Sequence, residues 1–258
     1  MDYFIPLIAF FASLLTFFSG FGLGTIMVPV FLLFFPVDLA IALAGIVHLL
    51  TNLFKISLVR QFIDKEVLVR FGSGALIAAY FGAELLKRLS GSARSVHYEF
   101  AGYVGETSTL NLLIAALLFT FAMIELLPFI KSFSVSKDKL IVGGILSGFS
   151  GGLSGHQGAL RTIFLVKAGM STEAFIATGI SIALIVDLTR IPIYFSGMEG
   201  ATILDNAWLL SSATGAAFLG ALIGRRFLKK VKIASLQTLV GILILIVSIL
   251  LGMGILGH

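Results

Sequence analysis

A run of glycine and polar residues at 150–158 constrains this chain more than any other feature. The run reads Ser-Gly-Gly-Leu-Ser-Gly-His-Gln-Gly and lies between two apolar stretches. In a lipid bilayer, a main chain that leaves helical geometry exposes amides that other parts of the protein must cover. Glycine permits such a break and lets a ligand approach the backbone closely, and the amides that open the next helix favour an anion. The run therefore predicts an anion site inside a membrane protein.

The composition of the whole chain supports the membrane class. Of 258 residues, 58% are hydrophobic and 12% are charged, and the mean hydropathy is +1.08. Soluble domains are about 45–50% apolar and about 25% charged. The apolar runs suit helices of about 20 residues rather than the short alternating strands of a barrel. We therefore expect an all-α integral membrane protein surrounded by the lipid bilayer.

Several kinds of chemistry have no support in the residues present. The chain has no cysteine, and its histidines, at 48, 97, 156 and 258, lack the spacing of metal ligands. A phosphate loop of the pattern Gly-x-x-x-x-Gly-Lys-Ser/Thr is absent. The net charge of +5 comes from basic residues between apolar spans, which mark topology rather than a nucleic-acid site. We expect no metal, no cofactor and no nucleic acid.

Ten apolar segments follow one another along the chain, and four of them are short. The segments are 3–18, 24–35, 37–54, 67–86, 109–130, 140–153, 158–169, 172–196, 207–226 and 235–257. A helix needs about 17–25 residues to span a bilayer. The first two segments, and the sixth and seventh, therefore predict two broken or re-entrant helix pairs.

The two short pairs belong to an internal repeat. A shift of the sequence by 134 to 138 positions aligns Gly24 with Gly158, Gly45 with Gly179, Asn52 with Asp187, Lys55 with Arg190, and Gly82 to Arg88 with Gly220 to Arg226. The halves, 1–130 and 131–258, each hold five segments, so the second half should enter the membrane from the opposite side. Inverted repeats of this kind form one transport domain in many secondary transporters.

The charged connectors predict one orientation. Basic residues cluster at 55–70, 131–139 and 225–232, whereas 197–206 carries two acids and no base. Because cytoplasmic connectors are rich in lysine and arginine, we expect a multi-pass protein of the cytoplasmic membrane with both termini outside. The basic residues at 87–94 run against this rule. The long polar interval at 90–108 predicts a solvated loop.

A family resemblance lies in the first short pair. The sequence from Ser19 to Pro29 reads Ser-Gly-Phe-Gly-Leu-Gly-Thr-Ile-Met-Val-Pro, and a second glycine-rich break follows at 148–158. This arrangement resembles the TauE/SafE sulfite exporter family of membrane permeases. The resemblance implies transport, as export, of sulfite, an organosulfonate or a related sulfur-containing anion without ATP hydrolysis. The second break departs from the family pattern because it lacks a Val-Pro half-helix, so the substrate could differ from sulfite.

The candidate binding residues lie in the two breaks and in the helices that follow. They are Gly20, Gly22, Gly24, Thr25, Gly152, Ser154, Gly155, His156, Gln157, Gly158, Arg161 and Arg190. The serine, histidine and glutamine offer hydrogen-bond donors, and the planar fork of Arg161 matches a sulfite or sulfonate group. His156 and Asp187 are candidate carriers for proton coupling during alternating access.

Structural explanations stay open beside these functional ones. Gly143, Gly144 and Gly148 suit close packing between helices. Asp187 and Arg190, three residues apart on one helix, suit a buried ion pair. A histidine in an apolar helix, such as the one at 48, is more often a packing residue than a ligand. Asn52 and Lys55, the repeat partners of Asp187 and Arg190, are expected to play milder versions of their roles, and Lys55 also suits a membrane anchor.

The rival function is proteolysis in the membrane. Gly152-Leu153-Ser154-Gly155 matches the Gly-x-Ser-Gly pattern of rhomboid-like serine proteases. A serine nucleophile needs a base within hydrogen-bond reach, and His156 would point elsewhere on a continuous helix. A protease also leaves the duplicated architecture unexplained. We therefore expect a transporter that is not an enzyme, with the intramembrane serine protease as the alternative.

Overall fold

The computed structural model describes residues 1–16, 22–100, 103–127, 137–166, 168–196, 205–227 and 233–257. Ten α-helices, numbered in chain order, lie within these ranges. They are α1 (Phe4–Thr16), α2 (Gly24–Leu32), α3 (Val37–Val59), α4 (Lys65–Gly91), α5 (Thr109–Leu126), α6 (Leu140–Ser154), α7 (Gly158–Leu165), α8 (Thr172–Phe195), α9 (Ala207–Phe227) and α10 (Ile233–Gly252). Short 3-10 turns lie at Arg60–Phe62 and Lys137–Lys139. The predicted helical class is confirmed.

The lengths of the helices separate spanning from short elements. Among the described residues, α3 with its following turn, α4, α5, α8 and α9 are long and apolar enough to cross a membrane. The helices α1, α2, α6 and α7 have 13, 9, 15 and 8 residues. The predicted second break is confirmed, because α6 ends at Ser154 and α7 begins at Gly158. At the first break α2 begins at Gly24, and residues 17–21 lie outside the described part.

Three long helices begin at side chains that cap their first turn. Asp64 accepts the amide of Val67 at the start of α4, Ser108 accepts that of Asn111 at α5, and Ser171 accepts that of Ala174 at α8. Such oxygens satisfy amides that have no partner within the helix. The sequence thus fixes where these spans start.

The connector between α4 and α5 forms a hairpin instead of the predicted loop. Strands β1 (Ser95–Phe100) and β2 (Tyr103–Ser108) pair in antiparallel register. The Tyr98 hydroxyl donates to the carbonyl of Met253, 2.7 Å away, just beyond α10. The hairpin is therefore attached to the end of the last helix, a contact that the polar composition of the connector did not reveal.

Glycines allow α4 and α6 to pack with their main chains in direct contact. A Cβ atom on any of three α6 glycines, four residues apart, would overlap the main chain of α4. The pairs are Gly144 with Phe71, Gly148 with Ala75 and Gly152 with Ala79. Residue numbers rise together on the two helices, so α4 and α6 run parallel. Small residues at this spacing are typical of helix contacts in membranes, which confirms the packing explanation for Gly144 and Gly148.

The helices α1 and α9 make the equivalent contact elsewhere in the fold. A Cβ atom on Gly220 would meet the carbonyl of Phe10, and one on Gly224 would meet Leu14, so these helices also run parallel. Gly82, the repeat counterpart of Gly220, packs in the same way against Phe149 of α6. The first helix of each sequence half therefore packs against a helix of the other half: α1 packs against α9, and α6 packs against α4.

Adding one methyl group at Gly148 is expected to destabilise the protein. In Gly148→Ala the new Cβ overlaps main-chain atoms of Ala75, and overpacking of this kind costs about 1–3 kcal/mol. We expect a lower apparent melting temperature of the detergent-solubilised protein in a fluorescence size-exclusion assay. Gly215→Ala, which adds the same methyl where nothing lies within 4 Å, should leave the melting temperature unchanged or raise it. Equal melting temperatures for the two variants would contradict the close packing.

The helices α3 and α8 cross antiparallel where two hydrophobic clusters meet. Gly45 lies against Arg190, His48 against Asp187, and the amide of Asp64 donates to Thr178 over 2.9 Å. One cluster is built mainly from α1, α2, α3, α5, α9 and α10, and the other from α4, α6, α7 and α8. The buried polar residues of α3, α7 and α8 lie at this junction.

Candidate functional site

The break between α6 and α7 is covered by protein, as the sequence predicts. Gly155 ends α6 in the left-handed region, with φ of 78°, and its amide donates to Gly151 over 3.0 Å. The hydroxyl of Ser154 donates to the carbonyl of Ser150, and that of Ser147 donates to the carbonyl of Gln157, each over 3.0 Å. Residues 151–158 are buried throughout. The polar run is thus held by hydrogen bonds inside the bundle.

Two side chains in this break keep polar atoms without partners. The Nδ1 atom of His156 lies 3.0 Å from the carbonyl oxygen of Ser154, and its ring stacks on Phe121 with centroids 5.8 Å apart. Within the described residues, Nε2 of His156 and both amide atoms of Gln157 are buried and have no hydrogen-bond partner. Buried polar atoms of this kind require an explanation, and a ligand that passes the break would supply partners.

A buried network joins α3, α8 and the break. Asp187 receives Nε and Nη2 of Arg190 on one carboxylate oxygen, each at 2.9 Å, and lies 2.6 Å from Nδ1 of His48 through the other. Arg190 also donates from Nη1 to the carbonyl of Gly151 over 3.1 Å. The Tyr194 hydroxyl donates to the carbonyl of Gly152 in α6. The predicted Asp187–Arg190 ion pair is confirmed, and His48 extends it across to α3.

Two glycines that the predicted repeat aligns each accommodate an arginine. A Cβ atom at Gly45 would lie 3.2 Å from Nη2 of Arg190, and one at Gly179 would lie 3.5 Å from Nε of Arg161. Because neither position has a side chain, each guanidinium can lie directly against a helix backbone. The two glycines that the alignment pairs, Gly45 and Gly179, thus each lie beside a buried guanidinium.

A small polar cavity lies between α3, α7 and α8. Its volume is about 30 Å³, which is room for roughly two water molecules. Side chains with polar ends that line it are Thr16, His48, Asn52, Lys55 and Arg161. Lys55 and Arg161 are only 3% and 4% exposed. Two cationic side chains, carried by different helices, thus face one buried space.

The predicted binding residues fall into two groups. Gly22 and Arg161 line the cavity, and Gly24 lies between the ring of His48 and the carbonyl of Gly155. Thr25 is buried in the first turn of α2, and Gly20 lies outside the described residues.

The second group lies at the break and beyond the cavity wall. Ser154, Gly155, His156, Gln157 and Gly158 surround the break. Gly152 packs against α4, and Asp187 with Arg190 reaches the cavity only through His48.

Three polar cavity residues on α3, His48, Asn52 and Lys55, were not among the predicted site residues. His48 has an ordinary explanation as a packing residue, and Asn52 and Lys55 were expected only as milder counterparts of Asp187 and Arg190. Their spacing of i, i+4 and i+7 nevertheless places them on one face of α3. That spacing is the sequence signal that could have found them.

The protease alternative gains no support from the geometry around Ser154. Its hydroxyl donates to the carbonyl of Ser150, and the ring of His156 contacts the main-chain oxygen of Ser154 rather than the hydroxyl. His48 is engaged by Asp187. In the described part of the chain, no histidine ring is hydrogen-bonded to the serine hydroxyl, so the base that a nucleophile needs is missing.

Comparison with known proteins gives one match. A family model described as "Sulfite exporter TauE/SafE" matches residues 5–251 of the 258. No curated protein and no solved structure matches the chain. The matched range includes both breaks and every residue that lines the cavity.

Proposed function

Because the chain belongs to the sulfite exporter TauE/SafE family, whose members are membrane transporters, we propose that it exports a small sulfur oxyanion through the cavity between α3, α7 and α8. The observation that carries this proposal is the pair of buried cations, Lys55 and Arg161, at one small space. Ionisable groups inside a membrane protein are costly, so they mark substrate pathways by default. A negatively charged substrate explains why two cations converge there.

The donors at the cavity match an oxyanion. The ammonium of Lys55 and the guanidinium of Arg161 donate charge-assisted hydrogen bonds, and the amide of Asn52 adds neutral donors. Sulfite presents three oxygen acceptors to such a set. A space of about 30 Å³ holds neither substrate without movement of its walls, and an organosulfonate, whose organic tail adds to the same oxygens, requires the larger movement. We therefore favour an inorganic sulfur oxyanion over an organosulfonate.

The break between α6 and α7 is proposed as the next stage of the route. Gly24 joins the two regions, because it lies against His48 of the cavity and against the carbonyl of Gly155. The partnerless polar atoms of His156 and Gln157 would receive the anion there, with the opening amides of α7 behind them. Ser154, Gly155 and Gly158 shape this passage in the proposal.

We further propose alternating access within an inverted repeat. Two contacts between helices of different sequence halves, α4 with α6 and α1 with α9, support the repeat. The antiparallel crossing of α3 and α8 supports it as well. The two hydrophobic clusters suggest that the bodies that move against each other are not the sequence halves 1–130 and 131–258. One body would be α4, α6, α7 and α8, with Arg161, and the other would hold Lys55. An anion between these cations would connect the two bodies.

The distribution of basic residues supports an orientation in the cytoplasmic membrane. The amide of Asp64 bonds to Thr178 near the start of α8, and Gly169 lies beside Lys137. The α3–α4 connector, the turn before α6 and the α7–α8 connector therefore share one face, which carries Lys65 and Lys139. By the positive-inside rule we assign this face to the cytoplasm, which places both termini outside in the proposed topology.

Purified protein in liposomes should release trapped sulfite without ATP. We expect saturable efflux well above that of protein-free liposomes, because a carrier with a defined site must saturate. The flux should also change under an imposed pH gradient if transport is proton-coupled. The same preparation, mixed with a membrane peptide substrate, tests proteolysis. Efflux no faster than from empty liposomes would contradict transport of sulfite, and peptide cleavage would favour the protease.

A further inference from the structure

We propose that His48 is the proton carrier of the cavity, and that Asp187 is the positioning residue that holds it, so that anion and proton bind together. The inference rests on the proposed transport function and deepens it. It assigns coupling to a histidine on α3 rather than to His156 in the break.

The contact with Asp187 fixes which ring nitrogen of His48 carries a hydrogen. Nδ1 lies 2.6 Å from a carboxylate oxygen of Asp187, and a carboxylate is an acceptor. The hydrogen of the neutral ring therefore belongs on Nδ1. Arg190 holds the other carboxylate oxygen with two contacts of 2.9 Å, so Asp187 cannot turn away. A carboxylate that accepts a hydrogen bond from one ring nitrogen in this way fixes the tautomer and the orientation of the imidazole.

The second nitrogen, Nε2, is then left as the atom that takes up a proton. His48 lines the cavity, and the absence of a side chain at Gly22 keeps Nε2 accessible, since a Cβ atom there would lie 2.9 Å from it. The amide nitrogen of Asn52 lies 3.1 Å from Nε2 and 3.3 Å from Nδ1, and because Nδ1 already carries a hydrogen, Nε2 is the ring atom that can accept from it while the ring is neutral. A proton on Nε2 turns this acceptor into a donor, and the ring then needs a new acceptor.

An anion in the cavity supplies that acceptor and changes the electrostatic balance. The charged groups that face His48 are Asp187 and Arg190 from α8, Lys55 from α3 and Arg161 from α7. In an empty cavity the cations oppose a further positive charge on the ring. A bound oxyanion offsets them and accepts a hydrogen bond from Nε2. Proton and anion therefore favour each other's binding, and the coupling is reciprocal.

His156 lacks the features that make His48 suitable. Its Nδ1 contacts a main-chain carbonyl and its ring stacks on Phe121. Within the described residues it has no carboxylate partner, and it does not line the cavity. A proton on this ring would have no acidic group to stabilise it.

The test measures proton and sulfite movement together in liposomes that contain a trapped pH indicator. Wild type should move protons in a fixed ratio to sulfite. His48→Gln keeps a side chain of similar size that cannot be protonated, so we expect the ratio of protons to sulfite to fall to the value that sulfite alone accounts for, and the affinity for sulfite to depend less on pH than in wild type. Sulfite itself also binds protons in proportion to the amount moved, so the ratio of protons to sulfite, compared between wild type and variant, measures the contribution of the His48 ring.

His97→Gln is the matched control, because His97 is exposed on the hairpin and its side chain faces Glu106 rather than the cavity. It should keep the wild-type proton-to-sulfite ratio. His48→Asn serves if the glutamine variant does not fold, and the wild-type ratio is informative by itself. Sulfite flux without proton movement in wild type, or an unchanged ratio in a folded His48 variant, would overturn the inference and leave the transport function standing. Absence of sulfite flux in wild type would overturn the transport function itself.

Discussion

Replacing Arg161 with alanine, or Lys55 with methionine, is expected to lower the affinity for sulfite about a hundredfold. Both side chains are buried at the cavity. Loss of one partner of a buried, charge-assisted contact costs about 2–5 kcal/mol, and about 1.4 kcal/mol corresponds to a factor of ten. Titration calorimetry of sulfite into purified protein measures the affinity, and efflux from liposomes should fall in parallel.

Two surface variants control for a general change in charge. Arg70→Ala and Lys65→Met remove exposed cations in the first two turns of α4, so the affinity for sulfite should stay within about twofold of wild type, since exposed charges are screened by solvent and salt. Cavity variants that bind sulfite as tightly as these controls do would remove the cavity from the proposed route.

Replacing Asp187 with alanine should give the largest loss of stability. The change leaves Arg190, which is 1% exposed, without the carboxylate that receives two of its nitrogens. Removal of one partner from a buried ion pair costs about 3–5 kcal/mol, a large share of the stability of a typical protein. We expect little folded protein in fluorescence size-exclusion profiles. The double variant Asp187→Ala with Arg190→Met should recover part of it, because no unpaired charge remains.

The exposed pair of Glu66 and Arg70 provides the comparison on α4. Its atoms lie 3.4 Å apart with both side chains more than half exposed, and exposed pairs contribute about 0–1 kcal/mol. Glu66→Ala should therefore leave the amount of folded protein unchanged. Equal losses for the Asp187 and Glu66 variants would show that burial of the ion pair has no stabilising role.

The positions of the helices follow from the sequence because local signals determine them. Apolar runs set the spans, and the side chains of Asp64, Ser108 and Ser171 accept amides where three helices begin. The glycines around Ser154 predict the break, and α6 and α7 end and begin within one residue of the expected boundaries. Local sequence thus carries most of the secondary structure.

The partners of those helices do not follow from the sequence. Glycines on α4, α6 and α9 offer close contact to any neighbour, so composition does not say that α4 packs on α6 or α9 on α1. The cavity could not be predicted either, because it depends on which helices contact each other. His48 and Asp187 are 139 positions apart, and only the antiparallel crossing of α3 and α8 brings them together. The hairpin was not predicted for a related reason, since Met253, whose carbonyl accepts from Tyr98 of the hairpin, lies beyond α10.

The pairing of α1 with α9 also bears on how the protein is made. The first helix of the described chain packs against the helix that is last but one in it. A contact between such distant segments must wait for the later one to be synthesised. Until then α1, too short to cross the bilayer alone, and α4, whose partner α6 also comes later, lie in the membrane with uncovered faces. A nascent chain of half length therefore lacks the contacts that cover α1 and α4 in the complete bundle.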